Sequence, residues 1–491
     1  MATKKDLVEA YSFSRRRLVT AFVSGAPGGR EVEPSRPGRT IVGGLALAVL
    51  LCAGAAIAGV FKPNVEVDWE QPGLILSKEK GAAYVILEPD EDGKHQVRPV
   101  INVTSAQLIL GEDAEPKVVP QAVIDEETPG ADIGILGAPV TVPDTADLIE
   151  SGWTACTDDD HGIRFAVSAA PDVDPAADRG LLVKNGGTRY VIAHSEPDGE
   201  GLTRAYRYEL PDVPGVDNLL GDLDLPIKDN ATAVPTEWLD LFPAGGPLTL
   251  ESFGIVGYGP PSPDAGRGGL PGRARLGDYY EIDGRLTVLT EDGPAVLSEF
   301  ARAVYLQIRP AKAKDLGLSE PADVAQADPP YDGAHWPAGS LGTISGEQCA
   351  QLVTAPGELP RAVLVELPGE TASAEEVEAG DREVTVDPGG GAFVLSGGWH
   401  DPEVGEPFVM DAKGFSYALI GTDAVENLGF GGYDAPVVPD SWLHLFEEGE
   451  ELSVDAALCP PVRPSRNDAA EGDGEDGEET EQGGGQAQSC E

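Results

Sequence analysis

Val234-Pro-Thr-Glu-Trp-Leu-Asp-Leu-Phe242 and Val438-Pro-Asp-Ser-Trp-Leu-His-Leu-Phe446 lie far apart in one chain and are identical at six of nine positions. Each reads as a short amphipathic helical turn, with Trp238 and Trp442 as plugs for a small core. Upstream of each lies a strand–turn–strand pattern, Leu181 to Ile192 in one case and Pro407 to Ile420 in the other. The same pattern recurs at Gly73 to Leu87 and, more weakly, at Leu286 to Leu297. Alternating β-branched or aromatic residues around a Gly-containing polar turn mark a hairpin. Tyr84, Tyr190 and Tyr417 take equivalent places after the turn, where packing against the hairpin is their expected role.

A sequence that repeats one supersecondary pattern predicts an α+β, β-rich domain of about four small repeats around a central core. The divisions fall at 62–130, 178–257, 276–312 and 392–460 for the repeats. Residues 131–177 and 313–391 make the two parts of the central core, and 258–275 (YGPPSPDAGRGGLPGRAR) reads as a linker or long loop. The end, 461–491, is an acidic tail with almost no apolar residues and is expected to be disordered.

Ahead of the repeats, Ile41 to Phe61 reads IVGGLALAVLLCAGAAIAGVF, 21 residues without a charge. At about 1.5 Å rise per residue such a helix crosses the roughly 30 Å hydrocarbon layer. It carries no polar stripe, as a buried core helix would, and it exceeds the roughly 7–15 residues of a signal-peptide apolar region. The flank before it holds Lys4, Lys5, Arg15, Arg16, Arg17, Arg30, Arg36 and Arg39, while Glu66, Asp68 and Glu70 follow it. Positive residues stay in the cytoplasm, so residues 1–40 are expected inside and 62–491 outside a cell membrane crossed once.

The tail from Asp6 to Val23 can form an amphipathic helix. Tyr11, Phe13 and Leu18 beside Arg15, Arg16 and Arg17 suit either anionic head groups or a cytoplasmic docking partner.

The whole chain carries 34 Lys and Arg against 84 Asp and Glu, a net charge of −50. That field repels phosphate backbones and excludes nucleic acid as a partner of the main domain. Catalytic patterns are missing: no phosphate loop, no G-x-S-x-G elbow and no H-E-x-x-H helix. The six histidines form no ligand-spaced pair, and Asp158-Asp159-Asp160-His161 reads as a solvated acidic loop, so no metal or cofactor is expected. Cys52 lies in the span and Cys490 in the tail. Cys156, Cys349 and Cys459 allow one pair outside the membrane without the tail, and an oxidising setting favours it.

Several blocks, in order, resemble EccB, a membrane component of the actinobacterial type VII (ESX) secretion system. Tyr11-Ser-Phe-Ser-Arg-Arg-Arg-Leu18 is similar to the family's juxtamembrane helix, and Trp69 with Gly73 to Gly81 to the opening of its first repeat. Arg98-Pro-Val-Ile-Asn-Val-Thr-Ser-Ala-Gln-Leu-Ile-Leu-Gly111 resembles its PV-x-N-x-TSA-x-L block, although Gln107 stands where Arg is commoner. Gly134-Ile-Leu-Gly-Ala-Pro139 resembles its GI-x-GAP element and Trp153-Thr-Ala-Cys156 its W-x-x-C. The resemblance implies a Cys156–Cys349 disulfide and a structural role in a secretion channel. It also implies assembly with an FtsK/SpoIIIE-type motor ATPase and other membrane subunits, self-association, and possible contact with peptidoglycan. ATPase activity is attributed to the family, but this chain has no recognisable nucleotide motif. The alternatives are a membrane-tethered wall-binding module and an ATPase acting outside a stable complex.

Overall fold

The computed structural model describes residues 71–461 apart from 88–95, 112–115, 128, 256–258, 345–346 and 368–376, together with Lys4, Lys5, Val8, Ala10–Arg15 and Leu18 near the start. The chain divides into two compact units, Met1–Val67 and Asp68–Glu491. In the first, the described residues are helical. The span expected at Ile41–Phe61 and the tail from 462 lie outside the described residues, among which no helix is long and apolar enough to cross a membrane.

The larger unit begins with β1 (Gly73–Ser77), β2 (Ala83–Leu87) and β3 (Gln96–Pro99), an antiparallel meander. Helix α1 (Val103–Leu110) follows, and β4 (Lys117–Val119) returns parallel to β1. A short helix, α2 (Gln121–Ile124), closes the segment. Next come β5 (Trp153–Thr157), β6 (Ile163–Val167) and the two-residue β7 (Asp174–Pro175).

The path of the first sheet then recurs. Strands β8 (Arg179–Asn185), β9 (Thr188–His194) and β10 (Ala205–Glu209) form a meander, α3 (Val216–Asp222) follows, and β11 (Thr232–Ala233) pairs parallel to β8 ahead of α4 (Thr236–Leu239). In the next segment β12 (Tyr279–Ile282), β13 (Arg285–Thr290) and β14 (Gly293–Val296) lead to α5 (Glu299–Ile308), after which Asp315 bridges parallel to Tyr279.

Strands β15 (Gly342–Thr343), β16 (Gln348–Val353), β17 (Arg361–Glu366) and β18 (Arg382–Val386) precede the last meander, β19 (Ala392–Gly397), β20 (Gly405–Met410) and β21 (Phe415–Ala418). Helix α6 (Thr422–Asn427), then β22 (Val437–Pro439) parallel to β19, then α7 (Asp440–Leu443) complete it. The two-residue β23 (Glu447–Glu448) and α8 (Val454–Leu458) end the described chain.

The middle of the molecule is a six-stranded sheet in the order β18-β6-β5-β16-β17-β7. Its face is covered by the two W-L-x-L-F segments. Trp153, Trp238 and Trp442 are each 0 % exposed and share one apolar cluster with Phe165, Phe242 and Phe446. Phe446 meets Trp153 edge-on at 5.4 Å and Phe165 at 4.9 Å. Each buried indole N–H has an acceptor: Trp153 gives to Ile149 O, Trp238 to Ala155 O and Trp442 to Leu241 O. A tryptophan buried without such a partner would lose about 1–3 kcal/mol of stabilisation.

Register refines three sequence readings. Ile75 pairs with Tyr84, Val183 with Tyr190 and Val394 with Phe408. Phe408, not Tyr417, therefore stands where Tyr84 and Tyr190 stand. Tyr417 lies on the third strand of its meander, because the compact Asp411–Gly414 turn joins β20 to β21; the first turn is the longer 398–404 loop. Secondly, of the segment read as a linker or long loop, residues 259–275 are a packed loop. Leu270 and Ala274 are buried with Tyr280 and Leu289, and Pro261 bridges Arg275. Thirdly, residues 313–341 contribute no strand to the central sheet: Tyr331 and Trp336 pack with Phe253 and Phe300 of the second and third meanders.

Candidate functional site

No catalytic cluster was expected, so the residues singled out are those that dock, brace or bind. On the N-terminal helix Tyr11, Phe13 and Leu18 are 74 %, 62 % and 71 % exposed, and Arg15 is exposed as well. Large exposed apolar side chains near a cation are ones that water disfavours and that a partner or a membrane would cover. Arg16 and Arg17 lie outside the described residues.

In the larger unit, Cys156 and Cys349 form a disulfide across the central sheet. They sit directly opposite each other on antiparallel β5 and β16, with Cα atoms 4.1 Å apart. Cys459 also takes part in a disulfide.

The 98–111 block is a clamp. Asn102 caps α1 by accepting the Ser105 N–H at 2.8 Å, and its amide donates to Ile135 O at 2.8 Å. Ser105 Oγ accepts the Ile135 N–H, and Thr104 Oγ1 donates to Pro139 O at 2.7 Å. The last three of these bonds pin the Gly134–Pro139 loop. Gly134 has φ +126°, and a Cβ there would lie 2.7 Å from Ile101, so glycine is needed. The loop and α1 in turn meet the fourth meander: Leu108 and Ile135 share a cluster with Tyr417 and Phe430, and Asn427 donates to Leu108 O. Asn102-Val-Thr104 also fits the N-x-T glycosylation pattern, but the side chains of Asn102 and Thr104 are both engaged in internal bonding.

The Asp158–His161 loop is also used internally. Asp158 accepts the Asp159 N–H, and Asp159 accepts the Ala233 N–H. Among the described residues no His, Cys, Asp and Glu group could hold a metal ion. Two histidines serve packing. His335 stacks on Tyr206 at 4.8 Å, and burial, then Arg204 and His400, lower its pKa. His194 is 4 % exposed, and its Nε2 accepts the Leu364 N–H at 3.2 Å, tying β9 to β17. Burial pulls its pKa from 6.5 down to about 4, against smaller opposing effects from Ala176 and Asp178.

Two features escaped the sequence reading. Val119-Pro120-Gln121-Ala122-Val123-Ile124 occupies in the first meander the place of the two tryptophan turns: Pro120, Pro235 and Pro439 each stand at the N-cap of a four-residue helix. With Val123 where Trp stands elsewhere, similarity of sequence could not reveal it, although the Val-Pro pair was visible. The second is a groove on the fourth meander, formed by residues from distant segments.

The family model described as "Type VII secretion system ESX-1, transport TM domain B" matches residues 1–461. The ESX-1 secretion system ATPase EccB1 of Mycolicibacterium smegmatis (strain MKD8) is 27 % identical over 515 residues, covering 96 % of this chain and 99 % of the relative. The protein of the same name from Mycobacterium tuberculosis (strain ATCC 25618 / H37Rv) is 26 % identical over 502 residues, covering 94 % and 96 %. Among solved structures, a chain of an intact ESX-5 inner membrane complex is similar at a TM-score of 0.59 and 20 % identity, with 98 % of each chain covered. An EccB3 dimer from the ESX-3 core complex gives 0.55 at 20 % identity, covering 79 % of this chain and 99 % of that one. At these identities the structures show a shared fold.

Proposed function

Since the chain belongs to the EccB family of type VII secretion proteins, we propose that it is a structural subunit of a secretion complex in the cell membrane. The family match over residues 1–461 carries this reading, because it spans the tail, the apolar segment and the folded domain together. Residues 1–40 lie in the cytoplasm, 41–61 cross the membrane once, and 62–491 stand outside. The uncharged run and the asymmetry of its flanks support this arrangement. The exposed Tyr11–Leu18 segment docks a cytoplasmic subunit, an FtsK/SpoIIIE-type ATPase. The outer domain self-associates and contacts peptidoglycan. Similarity to chains solved in an ESX-5 inner membrane complex and as an EccB3 dimer supports partners and self-association.

The outer domain is read as four copies of one unit around the six-stranded sheet. Four segments share the path of meander, helix and parallel return, and this supports the reading. The relatives are named ATPases; on our reading this chain acts as a brace, and purified full-length protein is expected to hydrolyse no ATP above background.

Mild-detergent purification of the tagged full-length protein from its native membrane tests the reading. Co-recovery of a motor ATPase and other membrane subunits is expected. Recovery of the protein alone, under several detergents, would favour a tethered wall-binding module.

A further inference from the structure

Between residues 392 and 460 there are thirteen Asp and Glu against Lys413 alone. On this segment opens a groove of about 610 Å³. Its floor is aromatic: Phe393 and Phe430 stack at 4.4 Å with planes 10° apart, and Tyr433 meets Phe393 edge-on at 5.9 Å. The partly exposed Leu395 and Pro407 supply a wall. Three exposed carboxylates, Glu403, Glu426 and Asp434, surround the opening, and no Lys, Arg or His lines it.

An apolar floor rimmed by unbalanced negative charge selects among ligands. An anion is repelled by the rim, and a neutral apolar group gains nothing from it. A lysine or arginine side chain satisfies both parts, its methylene stem on the floor and its head among the carboxylates, where the aromatic faces add attraction. The volume falls within the roughly 300–1,000 Å³ usual for built sites, enough for one or two side chains. We propose that this groove binds a cationic peptide segment, with one Arg or Lys stem along the Phe393–Tyr433 floor and its charge among Glu403, Glu426 and Asp434. The inference does not depend on the secretory assignment, since it rests on the groove alone.

The test titrates a fluorescein-labelled alternating leucine–arginine hexapeptide into the full-length protein in detergent, read by anisotropy, beside a matched leucine–glutamate hexapeptide. Saturable binding of the first and none of the second is expected. Glu426→Lys and Asp434→Lys, both at exposed positions, should each weaken binding about five- to tenfold. Asp292→Lys, an exposed acid on the β13–β14 turn, should leave it unchanged. If Asp292→Lys weakens binding as much as Glu426→Lys, the overall acidity is responsible and the site is refuted. Non-saturable binding to the wild-type protein refutes it as well.

Discussion

Acidification should destabilise the larger unit through His194, and the size of the effect follows from its burial. The ring is 4 % exposed, and its Nε2 accepts the Leu364 N–H from the neighbouring sheet. A protonated imidazole can accept no such bond and must also leave water. Folding therefore lowers the pKa from 6.5 to about 4. Between those values the unfolded chain binds the proton and the folded chain does not, so stability falls as pH drops. The contribution is whole above pH 6.5, declines through the interval and is lost near pH 4. At about 1.4 kcal/mol per pH unit, the loss is about 3 kcal/mol. Acid acts on the rest of the protein as well, so the measurement is a difference. His194→Gln keeps an acceptor near the Nε2 position and cannot be protonated. Urea unfolding of both proteins, followed by tryptophan fluorescence at several pH values between 7 and 4, gives the stability gap at each pH. The gap should move by about 3 kcal/mol in favour of the variant as pH falls. A gap that stays constant across this range would refute the argument.

Replacing both Cys156 and Cys349 by alanine removes a link between residues 193 apart in sequence. The loop-entropy model puts the loss at up to about 5 kcal/mol. For a domain of roughly 390 residues this lowers Tm by about 6 °C, which calorimetry would show. Asn102→Ala removes both the α1 cap and the bond to Ile135 O, and should cost about 2 kcal/mol in chemical denaturation. Trp442→Ala opens a cavity where the two tryptophan turns meet the central sheet. It should cost about 3–5 kcal/mol, measured by the urea midpoint.

What could be read in advance depended on whether the signal was local. The tryptophan turns were legible because their periodicity and their identity both survive in the chain. Hairpins at 73–87, 181–192 and 286–297 were legible because a polar turn with glycine separates each pair of strands. The fourth meander was misaligned for the same reason: its compact turn falls after the second strand, and the longer first turn carries no such mark. The parallel return strands are two or three residues long, too short for any pattern, and only pairing reveals them. The clamp illustrates a further limit. Asn102, Thr104 and Ser105 stood in a recognisable block, yet their hydrogen-bond partners lie 30 to 35 residues on, so sequence could show the block but not its purpose. The groove is more distant still, because its floor and rim come from three loops, two strands and helix α6.

A structural subunit of a secretion complex is needed to move proteins out of the cell. Its gene can be deleted in the native host and the small exported proteins of the system quantified in the culture medium. Export should be lost, the full-length chain should restore it, and a chain with Tyr11, Phe13 and Leu18 replaced by alanine should not. Undiminished export in the deletion strain would contradict that requirement.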